Sequence, residues 1–329
     1  DINNDGYIDI ASADMSFSSH YRSKTNMPSM QPEKFDARVK LGWNYQYMSN
    51  VLQMNTGLGT FSEVAQLSGV HQSDWSWAML MVDLNGDNMR DIFISNGYKR
   101  DTRFNDLPQI LADLQSEGEI QDVNQFLNKI PETLISNVVF ENKGLFDFEN
   151  VSDSWGIYQE MHSHGVAYGD LDNDGDLDLV INNVDKESLI YKNTLDPDKY
   201  LKVVIPSANS TWLNTRFYAL YENDTILSEF QPVRGYASSM EQALFFYSDE
   251  NGKLPYTLLY RDVANNYRKI DSPSGKVIAG ENTEKTSFIY RFSKPAYFIP
   301  AKENGGLTIG YSENPNNDYE FQRLLPHMV

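Results

Sequence analysis

The sequence predicts an all-β fold: part of a propeller of stacked four-stranded units, with a helical insertion, followed by a β-sandwich-like domain. Three observations carry this. Acidic nonapeptides recur as DINNDGYID from Asp1, DLNGDNMRD from Asp83 and DLDNDGDLD from Asp170. Residues 50–97 align without a gap on residues 137–184, and a third of the pairs are identical. Beyond Asn193 the acidic loops stop and short alternating β-rich segments take over.

Each nonapeptide sets Asp or Asn at positions 1, 3 and 5 and Asp at position 9. These are Asp1, Asn3, Asp5 and Asp9, then Asp83, Asn85, Asp87 and Asp91, then Asp170, Asp172, Asp174 and Asp178. Carboxylates on alternate residues of a tight loop repel unless a cation sits among them, and Ca²⁺ accepts about six to eight oxygens at flexible geometry. Up to three structural calcium ions are therefore expected. Position 7 (Tyr7, Met89, Asp176) is expected to give only its backbone carbonyl, which leaves its side chain free to vary. Position 6 needs positive φ, which Gly6, Asn88 and Gly175 permit. An EF-hand opens the same way but needs Glu at position 12 and a helix on each side. Here position 12 is Ser12, Ile94 or Ile181, and Ile92-Phe93-Ile94 and Leu179-Val180-Ile181 are β-rich runs.

The repeat pairs Asn55 with Asn142, Gly57 with Gly144, Phe61 with Phe148, Gly69 with Gly156 and Asn96 with Asn183. Each unit reads as a strand, an Asn-x-Gly turn, a second strand, a loop, a strand entering the acidic loop and a strand leaving it. Four short strands cannot bury their own faces, so such units stack on neighbours, most simply around an axis. Insertions of comparable size span about 15–49 and 98–136. The second carries helical spacing at Leu107, Ile110, Leu111 and Leu114 and again at Val123, Phe126, Leu127 and Ile130, ended by Pro131. Met15, Phe17, Tyr21, Met27 and Met30 of the first read as packing or a partner surface.

These residues resemble the FG-GAP/VCBS-repeat proteins, whose blades are similar to those of integrin α-chain propellers and carry a calcium loop between strands. Residues 50–70, 74–87, 94–101 and 167–183 further resemble large exported VCBS proteins of Bacteroidota of the CRTAC1/ASPIC-UnbV group. The resemblance covers residues 1–194 and implies a seven-bladed propeller, of which parts of three blades are present.

In the second half, β-rich segments at 200–205, 216–222, 226–233, 244–247, 256–261 and 287–292 suggest a compact β domain over residues 195–292. Gly235-Tyr236-Ala237-Ser238 and Pro273-Ser274-Gly275 resemble an ASPIC/UnbV domain, although RFYAL stands where that domain has a glycine-rich segment. Residues 293–329 read as a linker into a second propeller. Asp1 occupies the first ligand position with no strand before it, so the remaining blades are expected upstream, in the same polypeptide or as a cleaved chain.

A net charge of −19 argues against nucleic acid, which needs a basic footprint. No apolar run is long enough to span a membrane. There is no cysteine. Extracellular calcium modules are tuned to dissociation constants of about 0.1–1 mM, which favours an exported protein, at the cell surface or outer membrane or extracellular. Asp74, Trp75 and Trp77 offer a sugar platform or inter-blade packing; His162 and His164 offer two metal ligands or a polar rim. Lys99, Arg100, Asp101 and Arg103 offer an anion grip or a solvated loop. No phosphate loop or nucleophile elbow occurs, so no catalytic residue is assigned. The expected function is non-catalytic: a calcium-stabilised scaffold engaging a protein partner, such as an outer-membrane uptake assembly. The alternatives are a glycan-binding module and a polysaccharide-active enzyme.

Overall fold

The computed structural model describes residues 1–26, 32–118, 123–130, 132–195, 197, 199–206, 212–261, 266–281 and 283–286. Strand β1 (Ile10–Ser12) leaves the first acidic loop, and β2 (Met15–Ser16) with helices α1 (His20–Thr25) and α2 (Pro32–Lys40) belongs to the first insertion. The hairpin β3 (Val51–Asn55) and β4 (Phe61–Glu63) precedes β5 (Asp74–Val82), which enters the second loop, and β6 (Asp91–Asn96), which leaves it. The second insertion holds α3 (Leu107–Ser116) and α4 (Val123–Lys129). Then come β7 (Ile135–Ser136), β8 (Val138–Asn142), β9 (Phe148–Asn150) and β10 (Glu160–Met161). Strands β11 (Ser163–Gly169) and β12 (Asp178–Asn183) flank the third loop, and β13 (Leu189–Tyr191) follows. Met27, Met30 and Pro131 lie outside the described residues.

The sheets regroup the repeat. Their orders are β1-β3-β4, β2-β5-β6-β8-β9 and β11-β12-β13, with a small β10-β7 pair. The sequence reading joined each hairpin to the strands that follow it, and this is corrected. Strand β8 pairs with β6, the strand leaving the preceding loop, through Ile92↔Phe140, Phe93↔Val139 and Ile94↔Val138. Strand β3 pairs likewise with β1. A blade is thus the end of one repeat joined to the start of the next, with the insertion looping out between them. The leaving strand has one edge occupied by the entering strand, so its other edge must take the hairpin to satisfy its backbone groups. The first insertion begins with β2 on the edge of the second sheet, pairing Met15 with Trp75 and Ser16 with Asp74.

The blades pack face to face, as in a propeller. All six residues of β6 are buried, which explains the unbroken Ile-Phe-Ile run. Ile92 and Ile94 face the first sheet, meeting Leu52, Met54, Val64 and Phe140. Phe93 faces the third, in a cluster with Leu80, Val82, Val139, Val166, Leu179 and Ile181.

The repeat extends to hydrogen bonds. A bulge interrupts β5–β6 pairing between Ser76 and Met79, and β11–β12 pairing between Ser163 and Val166, the aligned positions. There Ser76 Oγ donates to Asn96 Oδ1 at 2.9 Å and Ser163 Oγ to Asn183 Oδ1 at 2.7 Å. Both asparagines end the strand that leaves a loop, where the local backbone can no longer bond in register.

Beyond Thr194, β14 (Tyr200–Val204), β15 (Arg216–Leu220), β16 (Thr225–Glu229), β17 (Ala243–Tyr247), β18 (Thr257–Arg261), β19 (Tyr267–Asp271), β20 (Gly275–Ile278) and β21 (Glu284–Thr286) form two sheets. Their orders are β17-β14-β20 and β16-β15-β18-β19-β21. Leu201, Val203 and Phe246 of one meet Phe217, Ala219, Leu258 and Tyr260 of the other in a shared core. The stretch 226–233 is corrected: its strand ends at Glu229, before Pro232. Strands β19 and β20 were not anticipated, and 287–292 and 293–329 lie outside the described residues. This half packs directly on the acidic loops, with Tyr247 against Gly86 and Tyr200 against Gly175.

Candidate metal centre

In each acidic loop two residues, not one, hold the left-handed backbone. Position 6 does so at Gly6 (φ 88°), Asn88 (66°) and Gly175 (97°), and position 4 at Asn4 (55°), Gly86 (73°) and Asn173 (64°). Every loop spends one Gly and one Asn on these two places, the residue types that tolerate αL best. This winding gathers backbone N–H groups around the first carboxylate. Asp1 accepts from the amides of Asp5 and Gly6, both at 3.0 Å. Asp83 accepts from Gly86 at 2.7 Å and Asn88 at 2.8 Å, and Asp170 from Gly175 at 3.4 Å. Position 5 accepts the amide of position 7 in all three loops: Tyr7 to Asp5 at 2.9 Å, Met89 to Asp87 at 2.7 Å and Asp176 to Asp174 at 3.2 Å.

Position 9 acts as a latch. Its Oδ2 closes the loop by accepting the amide of position 2: Ile2 at 2.7 Å, Leu84 at 3.0 Å and Leu171 at 3.0 Å. Its Oδ1 pins the neighbouring strand by accepting the amide of Asn55 at 2.8 Å, Asn142 at 2.9 Å and Asn193 at 2.8 Å. Those asparagines then bridge loops. Asn142 Nδ2 donates to the carbonyls of Ile2 and Arg90 at 2.9 and 3.1 Å, and Asn193 Nδ2 to those of Leu84 and Leu177 at 2.7 and 3.3 Å. Each ties the loop of its own blade to that of the preceding one. Asn193 has no counterpart in the gapless alignment, because no insertion separates β12 from β13.

The carboxylates are held against their own charge. Burial raises Asp5 and Asp87, lifts Asp83 well above the usual carboxylate range, and pushes Asp91 up to about 7. In the second loop Asp83 and Asp91 are further raised by Asp87. Burial and then Asp174 push Asp176 to about 7. In the third loop, oxygens of Asp170, Asp172 and Asp174 converge within 4.8 Å, as do those of Asp172, Asp176 and Asp178. Both oxygens of Asp176 are buried without a hydrogen-bond partner. Clustered hard oxygens, desolvated and short of donors, fit a hard divalent cation. A residue at position 1, 3, 5 or 9 would offer its side-chain oxygen to it, and position 7 its carbonyl.

The second half of the chain closes over two of the loops. Asn88 meets the backbone of Tyr247, and Lys202 Nζ lies 3.0 Å from Asp170 and 2.7 Å from Glu241. The Tyr200 ring covers Gly175, where a Cβ would come within 2.3 Å. Half-buried Arg90 donates to the carbonyls of Asp1 and Leu227 and to Ser228 Oγ, each at 2.7 Å, joining two loops to β16. Lys202 and Arg90 carried no local signal of these roles.

The other candidates are taken up by packing. Trp75 is 7% exposed, stacked on Tyr98 at 4.0 Å and near Phe17 at 6.4 Å, so its face is covered. Trp77 packs on His164 at 4.3 Å and Tyr236 at 4.8 Å, and its N–H donates to the Gly97 carbonyl. His162 pairs with Glu132 while His164 joins that aromatic group, so they do not converge on one ion. Lys99 pairs with Asp185, Arg100 donates to the Leu127 carbonyl, and Asp101 accepts from Arg22 and Asn26.

Residues 1–94, which span the first two acidic loops and the hairpin between them, match the family model of the FG-GAP-like repeat. No curated protein matches the chain. Among the described residues no helix is long and apolar enough to cross a membrane.

Proposed function

We propose that this chain is part of a non-catalytic, calcium-stabilised propeller of the CRTAC1/ASPIC-UnbV type, exported to the cell surface, where it binds a protein partner such as an uptake assembly. In this reading the full propeller has seven blades and up to three ions lock the loops that join entering and leaving strands. The ions are structural: they neutralise the carboxylates that burial and mutual repulsion now disfavour.

The observation that carries the binding role is the first insertion. Trp43, Tyr45 and Tyr47 are 61, 65 and 69% exposed. With Phe35, Arg38 and Arg103 they line an open groove of about 750 Å³. Tyr, Trp and Arg dominate the energetics of protein interfaces, and loops mounted on a rigid scaffold are where recognition concentrates. A glycan-binding reading moves to the same groove, because Trp75 is buried and Trp77 is packed on His164 and Tyr236.

Photo-crosslinking tests the proposal. A benzoylphenylalanine at Tyr45 or Tyr47, in the cell envelope of the source organism, is expected to capture one defined protein in the presence of calcium. Crosslinks to no protein, with retention on a polysaccharide matrix, would replace the protein partner by a glycan.

A further inference from the structure

Position 7 sets the third acidic loop apart. In the first loop the Tyr7 ring lies over Gly57, where a Cβ would meet it at 2.8 Å, and in the second the Met89 sulfur lies beside Gly144. Both side chains cover the glycine of an Asn-x-Gly turn. The corresponding turn of the third blade is Asn193-Thr194-Leu195, with no glycine to cover.

There Asp176 turns inward and is 0% exposed, with neither carboxylate oxygen hydrogen-bonded. Its neighbours are acids: one of its oxygens lies within 4.8 Å of oxygens from both Asp172 and Asp178. The bases at this loop pair with its other carboxylates and leave Asp176 without one: Lys192 pairs with Asp172 and Asp174, and Lys202 with Asp170 and Glu241. A buried carboxylate facing other carboxylates, with no donor, is unfavourable unless a cation completes the set.

We propose that the Asp176 side chain is itself a metal ligand, so that Asp172, Asp176 and Asp178 together make the third loop the tightest calcium site of the three. This rests on the reading that the acidic loops hold calcium. It departs from that reading in assigning position 7 a side-chain role, which Tyr7 and Met89 cannot play. Affinity in oxygen-ligand sites rises with the number of charged ligands. The third loop has five carboxylates, whereas the other two have Asn at position 3 and no acid at position 7.

Calcium titration calorimetry on the whole chain tests it, comparing wild type, Asp176→Asn and, as a smaller neutral replacement, Asp176→Ser. Wild type is expected to show one tight class of site, and both variants to weaken that class by about tenfold or more while leaving the weaker sites unchanged. In chelator both variants are expected to melt no lower than wild type, since they lose an unpartnered buried charge. Calcium binding by wild type and variants with equal affinity would overturn the proposal alone. No calcium binding by wild type would overturn the calcium reading of all three loops and the proposal with it.

Discussion

The side-chain amide of Asn88 pairs in both directions with the backbone of Tyr247. Nδ2 donates to the Tyr247 carbonyl at 3.0 Å, and Oδ1 accepts the Tyr247 amide at 2.9 Å. The asparagine therefore stands where a neighbouring strand would, extending the edge of β17 from inside an acidic loop. Tyr247 is 2% exposed, so neither backbone group can turn to water instead. This explains why the second loop has Asn at position 6 and puts its Gly at position 4: the left-handed residue also has to reach across to the second half of the chain.

Asn88→Gly keeps the φ of 66° accessible and removes only the amide. It is expected to lower unfolding free energy by about 1–3 kcal/mol, the cost of leaving the buried Tyr247 amide without its acceptor, while the Tyr247 carbonyl keeps the Tyr221 hydroxyl at 2.6 Å. Asn88→Ala is expected to cost about 1 kcal/mol more, because a Cβ residue without a local polar group is strained at positive φ. Urea denaturation followed by tryptophan fluorescence measures both, and equal stability of Asn88→Gly and wild type would remove the strand-mimic role.

Asp91 offers a separate test of the position 9 latch. Its two oxygens hold the amides of Leu84 and Asn142, both within the blade core. Asp91→Ala leaves two buried donors without partners, at about 1–3 kcal/mol each. The loss is expected in chelator as well as in calcium, since the latch joins strands directly. Hydrogen exchange at Asn142 reads the effect locally: faster exchange is expected in the variant, and unchanged protection would contradict the latch.

Gly97 is a steric test of how closely the second and third blades approach. A Cβ there would lie 2.4 Å from the His162 Cα and 2.7 Å from its carbonyl carbon, both backbone atoms that no rotamer change can move. Gly97→Ala is expected to destabilise by about 3 kcal/mol or more, or to prevent soluble expression, because the blades must separate. A variant melting within 2 °C or so of wild type would show that the blades are not in contact there.

What was legible in the sequence is what is local. The nine-residue spacing, the left-handed position 6 and the doubly buried Ile92-Phe93-Ile94 run each depend on a few adjacent residues. Position 4 is legible by the same rule, since Asn4, Gly86 and Asn173 are the residue types that αL admits. The phase of the blades was not, because a repeat can be cut anywhere and only the pairing of β6 with β8 fixes where a sheet begins. Lys202 and Asn193 were out of reach: Lys202 meets a carboxylate 32 residues away, and Asn193 donates to a carbonyl 109 residues away. Trp75 shows the same limit from the other side, since an exposed sugar platform and a covered ring have the same sequence. Phe17 and Tyr98, which cover it, come from the two insertions. Strands β19 and β20 escaped because YRKID and GKVI carry too few apolar residues to mark a buried face.

Calcium dependence of thermal unfolding tests the central claim most directly, that cations bound in the acidic loops hold the blades together. With millimolar calcium, compared with excess chelator at the same ionic strength, the melting temperature is expected to rise in proportion to the logarithm of free calcium, as ligand binding to the folded state alone requires. Protease cleavage within residues 1–94 is expected to slow in parallel. Melting and cleavage that are identical in calcium and in chelator would contradict the claim.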